Sequence, residues 1–168
     1  VDNDPDQLPP CRLLHVVEGG DYGFIWRFGR NGLHPFHAWN GELPGTLPMI
    51  ANTGEAPSGV LWYGRAANRS ASLPSDYDGT LLVTSWGEHR LERFRLVEQG
   101  ASYRSTLEPI VVGGEQFRPV SLDVAPDGSI YFTDWVDKSY ELHRKGRVWR
   151  LFAKLQTFDT STQTQKKT

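Results

Sequence analysis

Three aspartates alternate at the start of the chain, Asp2, Asp4 and Asp6, and alternate carboxylates on a short loop can converge on calcium as hard oxygen ligands. Pro5 interrupts the pattern and no glycine offers a sharp turn, so a solvated acidic terminus is the other reading. Further along, His34-Pro35-Phe36-His37 brings two imidazoles close together. They could serve a transition metal with a third ligand from elsewhere, or simply pack a loop. Phe36 and Trp39 could stack on a sugar ring or anchor that loop. Arg118 precedes Pro119 at the start of an apolar run, and its guanidinium fork suits a carboxylate, either of a ligand or of a neighbour such as Asp123. Asp123, Asp134 and Glu88 fall at strand ends or turns, where carboxylates satisfy backbone donors.

A repeat must position these groups. Residues 79–86 read GTLLVTSW and residues 128–135 read GSIYFTDW, forty-nine residues later. Each begins with an Asp-Gly pair, climbs through β-forming residues and closes on Thr, a small polar residue and Trp. The pattern predicts a strand over 80–85, a turn at 87–89 and a strand over 91–96. The second unit repeats this with strands over 130–133 and 147–151 around a longer loop, 137–145. A further strand precedes each unit, over 57–63 and 119–124. Short antiparallel strands with a period in the forties and little helical periodicity are what a β-propeller blade needs.

Only about three such periods fit in 168 residues. The chain is therefore expected to be all-β, a partial propeller of about three blades over residues 1–151, with a polar, flexible tail at 152–168. Residues 34–48, rich in Pro, Gly and aromatics, are expected to form a packed projecting loop. Three blades do not close a ring, so their edges call for the remainder of a longer propeller or for self-association.

With 18 Lys plus Arg against 20 Asp plus Glu, the chain is near neutral, which argues against nucleic acid and polyanion partners. Cys11 stands alone, so an internal disulfide and a cysteine-based zinc cage are excluded. No apolar stretch is long enough for a membrane-spanning helix. The chain opens on Val1 rather than Met, and an upstream segment is expected.

The order of motifs carries a resemblance. Val17-Glu18-Gly19-Gly20-Asp21-Tyr22-Gly23, then Ala56-Pro57-Ser58-Gly59, then the 80–83 strand, then Phe117-Arg118-Pro119 and Pro126-Asp127-Gly128 with its Tyr-Phe-Thr-Asp strand, resembles the second half of soluble quinoprotein glucose/sorbosone dehydrogenases. It looks closest to the planctomycete-type branch of membrane-bound dehydrogenases. The resemblance implies a six-bladed propeller in full length, with pyrroloquinoline quinone (PQQ) and calcium as cofactors and a sugar or polyol as substrate. It also implies a histidine base from blades before Val1, a cytochrome c electron acceptor and an exported, periplasmic or extracellular, location. Arg118 and Thr133 align with cofactor contacts of that family, and Asp2, Asp4 and Asp6 with an acidic metal-binding loop. Gly87 stands where the family has a cofactor-binding lysine, and Val120 where it has a second arginine. Those two losses point to an alternative: a non-redox propeller that binds a glycan or protein, or a lactonase- or strictosidine-synthase-like hydrolase.

Overall fold

The computed structural model describes residues 1–3, 11–23, 39–64 and 70–153. Among these residues eleven strands follow in order: β1 (Arg12–Leu13), β2 (Ala51–Asn52), β3 (Pro57–Tyr63), β4 (Thr80–Ser85), β5 (Arg90–Arg95), β6 (Val97–Gln99), β7 (Ser102–Arg104), β8 (Leu107–Val112), β9 (Pro119–Val124), β10 (Ile130–Asp134) and β11 (Arg147–Leu151). A single 3₁₀ turn, Ser75–Tyr77, is the only helical element among the described residues. The protein is all-β, as the alternating pattern implies. Residues 154–168 of the expected tail and 34–38 of the expected projecting loop lie outside the described residues.

Strands β3, β4, β5 and β8 form one four-stranded antiparallel sheet, and β9, β10 and β11 form a three-stranded one. The two recurring strings are β4 and β10, each the second strand of its sheet. Both begin after a glycine with positive φ, Gly79 at 75° and Gly128 at 85°, which an L side chain adopts at a cost. The hairpin β6–β7 is inserted between β5 and β8, an addition with no counterpart in the repeat.

Antiparallel partners share a sheet face, so Leu61 and Leu82 lie on one side of the four-stranded sheet and Val60 and Val83 on the other. The first side packs on the three-stranded sheet, and Tyr63, Leu82, Leu91, Phe117, Leu122, Ile130 and Phe132 form the core between them. On the opposite side Val83 and Phe94 pack with Leu13, Ile50 and Ala51 of the β1–β2 pair. Successive layers stacked face to face, with a core on each side of the middle sheet, are blades of a partial propeller. Among the described residues the sheets do not close a ring.

Arg93 clamps the outer strand of the middle blade. Its Nε donates to Glu108 Oε2 at 3.0 Å, its Nη1 to Asp76 Oδ2 at 3.1 Å, and its guanidinium lies 3.9 Å from the Tyr77 ring centroid. Hydrogen bonds from Arg95 and Arg93 hold the Asp76 carboxyl below its ordinary range, and Arg93 does the same for Glu108.

Candidate functional site

In an antiparallel pair, the end of one strand meets the start of its partner. Ser85 at the end of β4 pairs with Pro57 at the start of β3, and Asp134 at the end of β10 pairs with Pro119 at the start of β9. The repeat therefore delivers its closing tryptophans, Trp86 and Trp135, to the same end of adjacent blades. Their backbone bonds correspond as well: Trp86 N–H donates to the Ala56 carbonyl at 3.2 Å, and Trp135 N–H to the Arg118 carbonyl at 2.8 Å.

Asp134 organises this end. It is buried, and its Oδ1 accepts the N–H groups of Arg118 and Val136, both at 2.8 Å. Its Oδ2 accepts Arg147 Nε at 3.1 Å and Trp149 Nε1 at 2.9 Å. A carboxylate so fully supplied with donors is a structural anchor.

Arg118 is only 3% exposed. Its guanidinium lies 4.3 Å from the Trp86 ring centroid, its Nη1 reaches the Trp86 carbonyl at 3.4 Å, and its Nη2 stands 3.7 Å from Glu115. Its Nε is buried with no hydrogen-bond partner among the described residues. The Trp86 ring also stacks on Tyr140, with centroids 5.6 Å apart and planes at 9°. Trp86 thus contacts both a buried guanidinium and an exposed phenol.

Two cavities adjoin this stack. One, of about 320 Å³, is lined by Arg118, Lys138, Lys145, Glu115, Gln116 and Asp137, together with Val136. The other, of about 350 Å³, is lined by Trp86, Trp135, Tyr140, Val120, Ser58, Ala56 and Asn3, with no charged side chain among the described residues. The loop between β10 and β11 walls both. Trp135 Nε1–H donates to the Ser139 carbonyl at 2.6 Å, Lys145 Nζ to Asp137 Oδ2 at 2.9 Å, and Val136 is held at φ 75°. The Lys145 hydrogen bond draws the Asp137 carboxyl down to about 2.

The structure separates the residues singled out by sequence. Arg118 is at the site, but its side chain faces Trp86 and Glu115 rather than Asp123. Thr133 lines neither cavity; it lies on the exposed face of β10, where its Oγ1 accepts the Ser121 N–H at 3.2 Å. Asp2 is bound to Arg12, whose Nε donates to Asp2 Oδ2 at 3.2 Å and whose Nη2 makes a second, shorter contact to the same oxygen. Arg12 in turn lies 3.4 Å from the Trp39 ring centroid, so Trp39 is a buried platform for a cation. Asp4, Asp6, His34, Phe36 and His37 lie outside the described residues. Among the described residues no three His, Cys, Asp or Glu side chains are grouped to hold a metal.

Gly87 and Val120 have structural duties. A Cβ on Gly87 would lie 2.5 Å from Glu55 Cγ, so a side chain there requires Glu55 to move. The Val120 carbonyl accepts Ser58 Oγ at 2.9 Å and Thr84 Oγ1 at 2.8 Å, which joins the two blades. Sequence reasoning missed the Trp86–Tyr140 pair. The closing tryptophan of each repeat was the available signal for half of it; Tyr140 sits in the insertion, where no repeat applies.

A family described as Domain of unknown function (DUF7133) matches residues 63–154. No curated protein sequence matches the chain. A crystal structure from Thermus thermophilus, named as an oxidoreductase (glucose dehydrogenase), is similar in fold with a TM-score of 0.54 at 20% identity, covering 84% of this chain and 36% of that one. The chain thus spans little more than a third of that protein's length. No helix among the described residues is long and apolar enough to cross a membrane. With its blade sheets and the matched span covering more than half its length, the chain belongs to the DUF7133 family.

Proposed function

We propose that this chain is part of a propeller oxidoreductase of the glucose dehydrogenase type, which oxidises a sugar or polyol hydroxyl through PQQ. The observation that carries the reading is Arg118: a guanidinium buried against Trp86, with an Nε that has no partner among the described residues, lining a polar cavity. A buried donor without an acceptor is costly, and a ligand carboxylate would remove that cost. Likeness in fold to the Thermus protein is the second support.

The fit to the cofactor is partial. Arg118 answers one carboxylate, and Lys138, which has no hydrogen bond or ion pair among the described residues, lines the same cavity. Gly87 and Val120 contribute no charge. When bound, the quinone would supply a two-electron acceptor for the substrate's carbinol hydrogen. This chain's part is to bind and orient: Arg118 holds the anion, Trp86 supports the guanidinium from one side, and Asp134 fixes the backbone at Arg118. Thr133 is proposed as a further contact, reachable from the open face of β10. Calcium is proposed at the acidic terminus with Asp4 and Asp6 as its ligands, because Asp2 is neutralised by Arg12. A cytochrome c acceptor and an exported location belong to the same proposal.

A second reading, a non-redox propeller that binds a glycan or protein or hydrolyses an ester, is favoured by the tight approach of Glu55 to Gly87. Titration of the chain with PQQ, with and without calcium, followed by intrinsic tryptophan fluorescence, separates the two. Saturable quenching is expected, and Arg118→Ala should cost about 1.5–3 kcal/mol of binding, the range for hydrogen bonds to charged groups. Unchanged affinity in Arg118→Ala would remove Arg118 from the site.

A further inference from the structure

We propose that Glu115 is a displaceable counter-ion for Arg118, a built-in competitor that an anionic ligand must drive off before it binds. The inference rests on the reading of Arg118 as an anion contact, and it concerns how that contact is regulated.

A guanidinium only 3% exposed needs a negative partner, because a buried charge left alone is costly. Asp134 does not serve: its Oδ1 accepts the Arg118 backbone N–H, and its Oδ2 is taken by Arg147 and Trp149. Among the described residues the carboxylate within 4 Å of the Arg118 side chain is that of Glu115, its Oε2 3.7 Å from Nη2. At that distance the charge is compensated but no hydrogen bond forms, since one between a guanidinium and a carboxylate closes to about 2.7–2.9 Å. The other donors are barely used: Nη1 reaches the Trp86 carbonyl at 3.4 Å, and Nε has no partner among the described residues. The fork therefore stays open, and an anion in direct contact with it gains more than Glu115 does.

Glu115 is placed to leave. Its side chain is 89% exposed, so water solvates the carboxylate when it swings out. It sits in a turn after Gly113, closed by the Phe117 N–H on the Gly114 carbonyl at 2.9 Å. His89 holds that turn at both ends: its carbonyl accepts the Gly113 N–H at 2.8 Å, and its Nδ1 lies 2.9 Å from the Phe117 carbonyl. A carbonyl only accepts, so Nδ1 carries the proton, and the neutral imidazole turns its Nε2 lone pair toward Glu115 Oε2, 3.9 Å away. With the backbone so fixed, only the Glu115 side chain has to move, and a neutral His89 does not compete with Arg118 for it. Lys138 and Lys145 line the same cavity from the β10–β11 loop, and Lys145 is paired with Asp137. An entering anion that displaces Glu115 therefore meets Arg118 first and Lys138 second.

The test compares the whole chain with Glu115→Gln, which keeps the shape of the side chain and removes its charge. Two probes are titrated: PQQ without calcium, followed by tryptophan fluorescence, and oxalate, a small planar dianion, followed by calorimetry. Glu115→Gln is expected to bind the anion about two- to fivefold more tightly, the range for loss of one exposed ion pair. Structural damage would weaken binding, so a gain is not its signature. Glu98→Gln, on the β6–β7 hairpin, changes the net charge equally and should leave affinity unchanged; thermal melting checks that both variants fold. Tightening of oxalate alone, with PQQ silent, supports the counter-ion and sinks the cofactor reading. Unchanged affinity in Glu115→Gln, equal tightening in Glu98→Gln, or no binding of either anion to either protein would overturn the counter-ion. In the first of these cases, loss of PQQ binding in Arg118→Ala still leaves the cofactor reading in place.

Discussion

Gly79 and Gly128 occupy the same position in the repeat, and alanine at each provides a sharp comparison. Both have positive φ, so alanine pays the left-handed penalty of about 1–2 kcal/mol at either site, partly offset by about 0.4–1 kcal/mol from the less flexible unfolded chain. The surroundings differ. At Gly79 the nearest atoms to a new Cβ are on Trp62 at 3.9 Å, which is ordinary contact, whereas at Gly128 it would collide with Ser72 Oγ and lie 2.9 Å from Ser72 Cβ and 3.0 Å from its Cα. The hydroxyl can rotate away, but the Ser72 backbone has little freedom. Ala71 N–H donates to the Asp127 carbonyl, and Tyr63 O–H bonds the Gly128 carbonyl at 2.7 Å while accepting the Leu73 N–H. Overpacking of this kind adds about 1–3 kcal/mol. Gly79→Ala should therefore cost about 1 kcal/mol and Gly128→Ala about 2–4 kcal/mol. Urea unfolding monitored by tryptophan fluorescence measures both; with m near 2 kcal/mol/M, the Gly128 variant's midpoint should fall about 1 M further. Equal midpoints would refute the claim that the 70–73 segment is rigidly docked on this turn.

Two other outcomes test the site's surroundings. Asp2→Ala should destabilise the fold by about 1.5–3 kcal/mol, because Arg12 is 1% exposed and loses its charged acceptor; thermal melting checks this, and calcium should not restore the loss. The Asp137–Lys145 pair sets a pH window: a carboxyl depressed to about 2 from 3.8 contributes stability that is complete above 3.8 and lost as pH falls through about 2. Carbon-13 titration of the Asp137 carboxyl should show no change between about pH 7 and 4, and a midpoint near 4 would mean that the ion pair does not hold the loop.

The sequence by itself determined the local features. Alternation and turn chemistry act between near neighbours, so the strands Pro57–Tyr63, Thr80–Ser85, Pro119–Val124 and Arg147–Leu151 stand where the pattern places them, and an Asp-Gly pair marks the start of each repeat. Arg118 was also legible as a cation at a strand start. Tertiary structure decided what these residues face. Asp2 reads as a metal ligand in sequence, but the fold sets it against a buried arginine. Strand β8 and the β6–β7 hairpin carry no repeat signal, and the pairing of β8 with β5 is held by contacts such as Arg93 with Glu108. Only the stacking of two blades brings Arg118 and Tyr140 against Trp86 and divides a charged cavity from an aromatic one. Backbone periodicity is written in neighbouring residues; Arg118, Trp86 and Tyr140 lie more than twenty residues apart, and packing between sheets alone brings them together.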